Sequence, residues 1–158
     1  MVFGRRSFKG WVNNRYSITK LEKNIIALQK EIFEKIRYIN SGGCIHFAYY
    51  MAKKLEKLNI PYNIIFIDMT SIVTNLDCFK AVDHVVVYVK GIGFFDGTVL
   101  WKNKSEFIAR YDGYYITAVS NIRSDDLKVL TDYNFGWNKL YKIENNILLE
   151  QLIDKHLK

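Results

Sequence analysis

Three residues of this chain have the types and positions that thiol chemistry requires. Cys44 follows Gly42 and Gly43 and opens a helical pattern. Its sulfur would therefore lie near free backbone N–H groups and the positive end of a helix dipole, both of which favour thiolate over thiol. A thiolate nucleophile needs a base to accept and return protons. His84, at the head of the apolar run HVVVYV, is the best-placed candidate, and Asp96, set within the otherwise apolar FFDGT, is its natural partner. Each has an ordinary structural reading: a small buried hydrophobe at a helix start, a hydrogen-bonded histidine at a strand end, and a turn-forming acid before a glycine. The order and placement of all three together favour the chemical reading.

The elements that must position them can be read from periodicity. Leu21, Ile25, Leu28, Ile32, Ile36 and Ile39 recur at spacings of three and four, and Thr19 with Glu22 has the form of a capping box. This predicts a long amphipathic helix over 18–40. Asn40-Ser41-Gly42-Gly43 stops it. A second helix runs from Cys44 to Leu58 on the stripe Ile45, Ala48, Ala52 and Leu55, and Asn59 and Pro61 end it. Tyr62 to Ile67, His84 to Val89 and Ile92 to Thr98 read as strands. The last two are apolar on both faces, as in the middle of a covered sheet. Further on, Ser105 to Arg110 reads as a helical turn, Tyr114 to Val119 as a strand, and Ser124 as a cap before Asp125 and Asp126. Glu144 to Leu157 reads as a helix with Ile147, Leu148, Leu152 and Ile153 towards the body.

The hairpin register decides whether His84 and Asp96 meet. A loop at Val89-Lys90-Gly91, with positive φ at Gly91, sets Tyr88 against Ile92, Val86 against Phe94, and His84 against Asp96, about 5 Å apart at the backbone. A loop at Gly91-Ile92-Gly93 would instead set Asp96 against Tyr88, out of reach of His84. The first register explains an acid within an apolar strand and is preferred.

Composition bounds the rest. The chain has 158 residues, one domain's worth, and folding should bury roughly two thirds of its unfolded surface without staples. Eleven Tyr, ten Phe and three Trp are too many rings for intrinsic disorder. The order of elements predicts a single α+β domain with an antiparallel sheet over 1–158: an irregular basic arm (1–17), the first helix (18–40), a Cys-His-Asp core (41–98), and mixed elements with a terminal helix (99–158). No run approaches the roughly 18 apolar residues of a membrane span, and the first fifteen residues lack the apolar core of a secretory signal. Two cysteines, Cys44 and Cys78, fit a reducing, cytoplasmic compartment. Richness in Ile, Lys, Asn and Tyr points to an AT-rich genome, such as that of a low-GC bacterium or its phage, and a phage origin would add the virion as a location.

The net charge of +7 favours an acidic protein partner. Arg5, Arg6, Lys9 and Arg15 lie among Phe3, Phe8, Trp11 and Tyr16, a mixture found in single-strand binders. With no nucleic-acid module and the charge spread along the chain, nucleic acid is not the expected partner. Cys44, His46, Cys78 and His84 match no common zinc spacing, so neither a metal nor another cofactor is expected. His46, in line with Tyr50 and Lys53, reads as solvent-facing. His156 falls in the last helical turn, where a cation is favoured.

The segments GGCIHFAYYMAKKLEKLNIPYNIIFID, DHVVVYV and FFDGT, in that order, resemble the transglutaminase-like branch of the papain-like cysteine enzymes. In that group a Gly-x-Cys begins a helix, a His begins a strand and an Asp ends the next. The resemblance covers Ser41 to Thr98. It departs from the pattern at Ile45, at Val85-Val86 and at Gly97, where that group often has an aromatic, a Trp and a Pro. It implies a papain-like fold and thiolate attack of Cys44 on an amide carbonyl of a protein or peptide. An acyl-enzyme then forms and is released to water or an amine, as in proteases, amidases and acyltransferases. The oxyanion would be stabilised by the Cys44 N–H, with Asn40 as a candidate side-chain donor. The same group contains members without activity, so a structural or interaction protein, for instance of a phage, is the alternative.

Overall fold

The structure, a computed structural model, describes residues 17–69, 82–131 and 140–158. The basic arm up to Tyr16 and the connection holding Cys78 lie outside the described residues. Among the described residues the fold is α+β, with five helices and one antiparallel five-stranded sheet. The elements in chain order are α1 (Ile18–Lys35), α2 (Cys44–Lys57), β1 (Asn63–Asp68), β2 (His84–Val89), β3 (Gly93–Phe95), β4 (Leu100–Trp101), α3 (Lys104–Arg110), β5 (Tyr115–Val119), α4 (Ser124–Thr131) and α5 (Asn145–His156). The strands lie in the order β4-β3-β2-β1-β5, so β2 is central. No helix among the described residues is long and apolar enough to cross a membrane.

The two faces of β2 meet different cores. Val85, Val87 and Val89 join Phe66, Phe95 and the inner face of α2 in the main apolar cluster. Val86 and Tyr88 join Ile65, Phe94, Trp101, Phe107 and Tyr111 in a largely aromatic one. Helix α2 packs on β2 and against α4 and α5, so it is held from several sides. All four residues of its predicted stripe are buried.

The first helix is shorter than its periodicity suggests. It ends at Lys35, where Ile36 is extended and Tyr38 takes a φ of 62°. Ile36 and Ile39 are buried all the same, because the following turn brings them back to the core and so continues the spacing without the helix. Its cap is Ser17, whose hydroxyl accepts from the Lys20 N–H at 3.1 Å. Glu22 pairs with Lys102 instead of closing a box with Thr19. At the other end of the chain Ile147 is 70% exposed, and Leu149 takes the core position assigned to it. Ser124 is not a simple cap either: its N–H and hydroxyl donate to Glu56, tying α4 to α2 at 2.9 and 2.7 Å.

The hairpin follows neither of the two registers considered. Val87 pairs with Phe95, Tyr88 with Phe94 and Val89 with Gly93, leaving Lys90-Gly91-Ile92 as the turn. Gly91 does have positive φ, 86°, and the Ile92 N–H closes the turn on the Val89 carbonyl at 3.0 Å. Gly93 is fixed in the strand by its own φ of 127° and by the Trp101 carbonyl oxygen, which lies where any Cβ would stand. Continuing the ladder by one pair would set Asp96 across from Val86, two residues from His84.

Candidate active site

Asp96 lies just beyond β3, in the turn that leads to β4, and its N–H donates to the Val99 carbonyl at 3.1 Å. Being outside the ladder, its side chain is free to reach diagonally, and the His84 ring covers the remaining distance. His84 Nε2 and Asp96 Oδ2 are 2.9 Å apart. The expected pair forms, though not as direct cross-strand neighbours. The other carboxylate oxygen, Oδ1, accepts from the N–H groups of Thr98 and Val99 at 2.8 and 2.9 Å and from the Thr98 hydroxyl at 3.1 Å. FFDGT is thus a strand end whose acid caps its own turn, a habit of Asp.

The Cys44 side chain lies close enough to the same imidazole to influence its proton affinity. Burial pulls the His84 pKa down, but the hydrogen bond to Asp96 and the Cys44 side chain more than offset this and raise it to about 10. For Asp96 burial pushes the pKa up, and the bonds from His84, Thr98 and Val99 outweigh it, leaving the carboxyl below its usual range.

The turn before Cys44 explains its two glycines separately. Gly42 has a φ of 102°, and Gly43 leaves no room for a side chain between the Ile39 carbonyl and the Tyr141 ring. Gly43 is also the N-cap of α2 and has no side chain with which to bond the first N–H groups. The Cys44 N–H stands in that first turn, at the sulfur's end of the helix. The thiol itself is enclosed: Cys44 and Asp96 are each 2% exposed.

Asn40, the candidate oxyanion donor, turns its amide towards the acid. Its Nδ2 donates to Asp96 Oδ2 at 3.2 Å and to Thr98 Oγ1 at 2.7 Å, so its amide is engaged with the acid. His46 is buried, not solvent-facing, and its ring stacks on Tyr141 with centroids 5.1 Å apart. A residue from the loop before α5 covers it, which no pattern within α2 could reveal.

Two participants escaped the sequence reading. Tyr111, just after α3, stacks on the His84 ring with centroids 6.1 Å apart, and burial and the nearby Asp96 raise its phenol above its usual pKa. Gln29, a buried amide on the apolar stripe of α1, donates to the Asp96 carbonyl at 2.8 Å. A polar residue within an apolar stripe was the available signal for Gln29. For Tyr111 there was none, because its approach depends on how α3 folds back over β3 and β4. Among the described residues no three His, Cys, Asp or Glu side chains are grouped so as to hold a metal ion. Comparison of the chain with protein-family models, curated proteins and solved structures finds no match.

Proposed function

We propose that the protein is a cysteine-nucleophile hydrolase or acyltransferase acting on amide bonds of a protein or peptide, with a fold of the transglutaminase-like, papain-like kind. The supporting observation is the His84–Asp96 pair, joined at 2.9 Å, with Cys44 beside the same imidazole at the first position of a helix whose N-cap is a glycine. On this reading the three groups divide the work. The sulfur attacks the carbonyl carbon, and the Cys44 N–H faces the oxygen that gains charge. His84, protonated at the sulfur-facing nitrogen, gives its proton to the departing amine as the carbon–nitrogen bond breaks, leaving a thioester. It then takes a proton from the incoming water or amine, and the sulfur leaves as thiolate. Asp96 orients the ring and stabilises its charge without taking the proton.

The burial of Cys44 supports a second reading, a non-enzymatic interaction protein on the same fold, for instance of a phage particle. One experiment separates them. The native protein and its Cys44→Ala and His84→Ala variants are assayed on a panel of peptides, isopeptides and amine acceptors, with mass spectrometry for covalent adducts at Cys44. Activity lost nearly completely in each single variant, and little further in the double, supports the enzyme. A folded protein inactive across the panel, with Cys44 inert to small electrophiles, supports the interaction protein.

A further inference from the structure

We propose that Asn40 is a positioning residue that limits how tightly Asp96 holds His84, by sharing with the imidazole the carboxylate oxygen that faces it. The inference rests on the reading of His84 as the proton-transferring group. Asp96 Oδ2 receives two donors, His84 Nε2 at 2.9 Å and Asn40 Nδ2 at 3.2 Å. The orientation of the amide is dictated by chemistry, since turning it over would set its oxygen against a carboxylate with no proton between them. The second amide hydrogen goes to Thr98 Oγ1, which itself donates to Oδ1, so the three side chains form a closed ring around the acid. A neutral donor on Oδ2 draws negative charge away from the imidazole and weakens its hold on the ring proton. A group that must pass its proton to a leaving amine benefits from that weakening.

The same side chain links the two turns of the site. Asn40 stands four residues before Cys44, with Ser41, Gly42 and Gly43 between them, and its amide is bonded within the turn that carries Asp96. Gln29 serves as a comparison, because it donates to the Asp96 backbone carbonyl and supports the turn without touching the carboxylate. The titratable groups around His84 are Cys44 from α2, Asp96 from the turn after β3 and Tyr111 from the turn after α3. Asp83 and Asp68 stand at the adjoining ends of β2 and β1.

The test is the titration of the His84 ring by NMR in a Cys44→Ala background, which removes the thiol's contribution, with the signal assigned by His84→Gln. Asn40→Leu, close in shape and without a donor, should raise the midpoint by about half to one pH unit. Gln29→Leu should leave it nearly unchanged. A purely structural role for Asn40 predicts the opposite sign, since a loosened turn admits water and the midpoint falls towards the ordinary histidine value. An unchanged or lowered midpoint in folded Asn40→Leu overturns the proposal. Where that variant does not fold, Asn40→Ala is read in the same way: a raised midpoint supports the proposal, and an unchanged or lowered one overturns it. None of these readouts uses substrate, so an inactive protein with the expected shifts would refute the hydrolase reading alone.

Discussion

His84 and His156 each meet a carboxylate, at 2.9 and 2.6 Å, and the two pairs differ in almost everything else. Asp96 is enclosed, and besides His84 its carboxylate is satisfied by backbone N–H groups, a hydroxyl and an amide, all of them neutral. Glu31 lies at the junction of α1 and α5, where Lys155, Lys35 and His156 converge on it and lower its pKa to about 2. The surface pair gathers charge, which salt screens and which costs side-chain freedom. The buried pair gathers fixed dipoles, which hold a charge in place without competing for the proton. A short histidine–carboxylate contact is therefore poor evidence of function by itself. Its surroundings decide, and of these two histidines only His84 has a cysteine at a helix start near enough to influence its proton.

The contrast can be broken most sharply at the thiol. His84→Ala should slow alkylation of Cys44 near neutral pH by about 100-fold or more, whereas His156→Ala should leave it unchanged. Cys44 should also be labelled before Cys78 in brief iodoacetamide treatment followed by peptide mass spectrometry. Equal effects of the two histidine variants would remove the distinction.

Stability comes next. Asp96→Ala strips a buried imidazolium of its partner and should cost about 3–5 kcal/mol in urea denaturation. In activity assays the same change should be milder than His84→Ala, because the proposed mechanism has Asp96 orient the ring without transferring the proton.

A third outcome concerns pH. The raised His84 pKa contributes stability that is full below the ordinary histidine value near 6.5 and is lost as pH rises through about 10. The lowered Asp96 pKa contributes stability that is full above its ordinary value near 3.8 and is lost as pH falls through its folded value. Urea midpoints should thus plateau between about pH 4 and 6.5 and decline on the alkaline side, and in Asp96→Asn most of that alkaline decline should disappear.

The smallest effect is expected at the surface. Glu31→Gln should lower stability slightly in dilute buffer and not at all in high salt, as read from paired thermal melts. Its stabilising share in the native protein should persist above the ordinary carboxylate range and vanish only as pH falls through about 2. A large, salt-insensitive loss would show that the two carboxylates are less different than their surroundings indicate.

The sequence reveals local patterns well and the paths between them less well. Strand β2 runs over the expected residues, α2 begins at Cys44, and the buried stripes of both long helices follow from spacing alone. Where a turn kept the apolar spacing going, as at Ile36 and Ile39, spacing could not mark the helix end. The hairpin register differs from the expected one, because direct opposition is not the only way for two side chains to meet. An acid freed from the ladder by its own turn can meet its partner diagonally. The very short β4, the cover over His46 and the stacking of Tyr111 all depend on segments distant in the chain. A single sequence carries no local trace of them.

The packing of Tyr141 on Gly43 bears on how the protein is made. The Tyr141 N–H donates to the Ser41 carbonyl at 3.2 Å, and its ring closes over the turn in front of Cys44. During synthesis the cysteine, the histidine and the acid all leave the ribosome well before this clamp does. The nascent chain therefore carries these three groups for some time without the final piece that fixes the turn before Cys44. Until the segment from residue 140 onward has emerged and docked, the thiol lacks its finished setting.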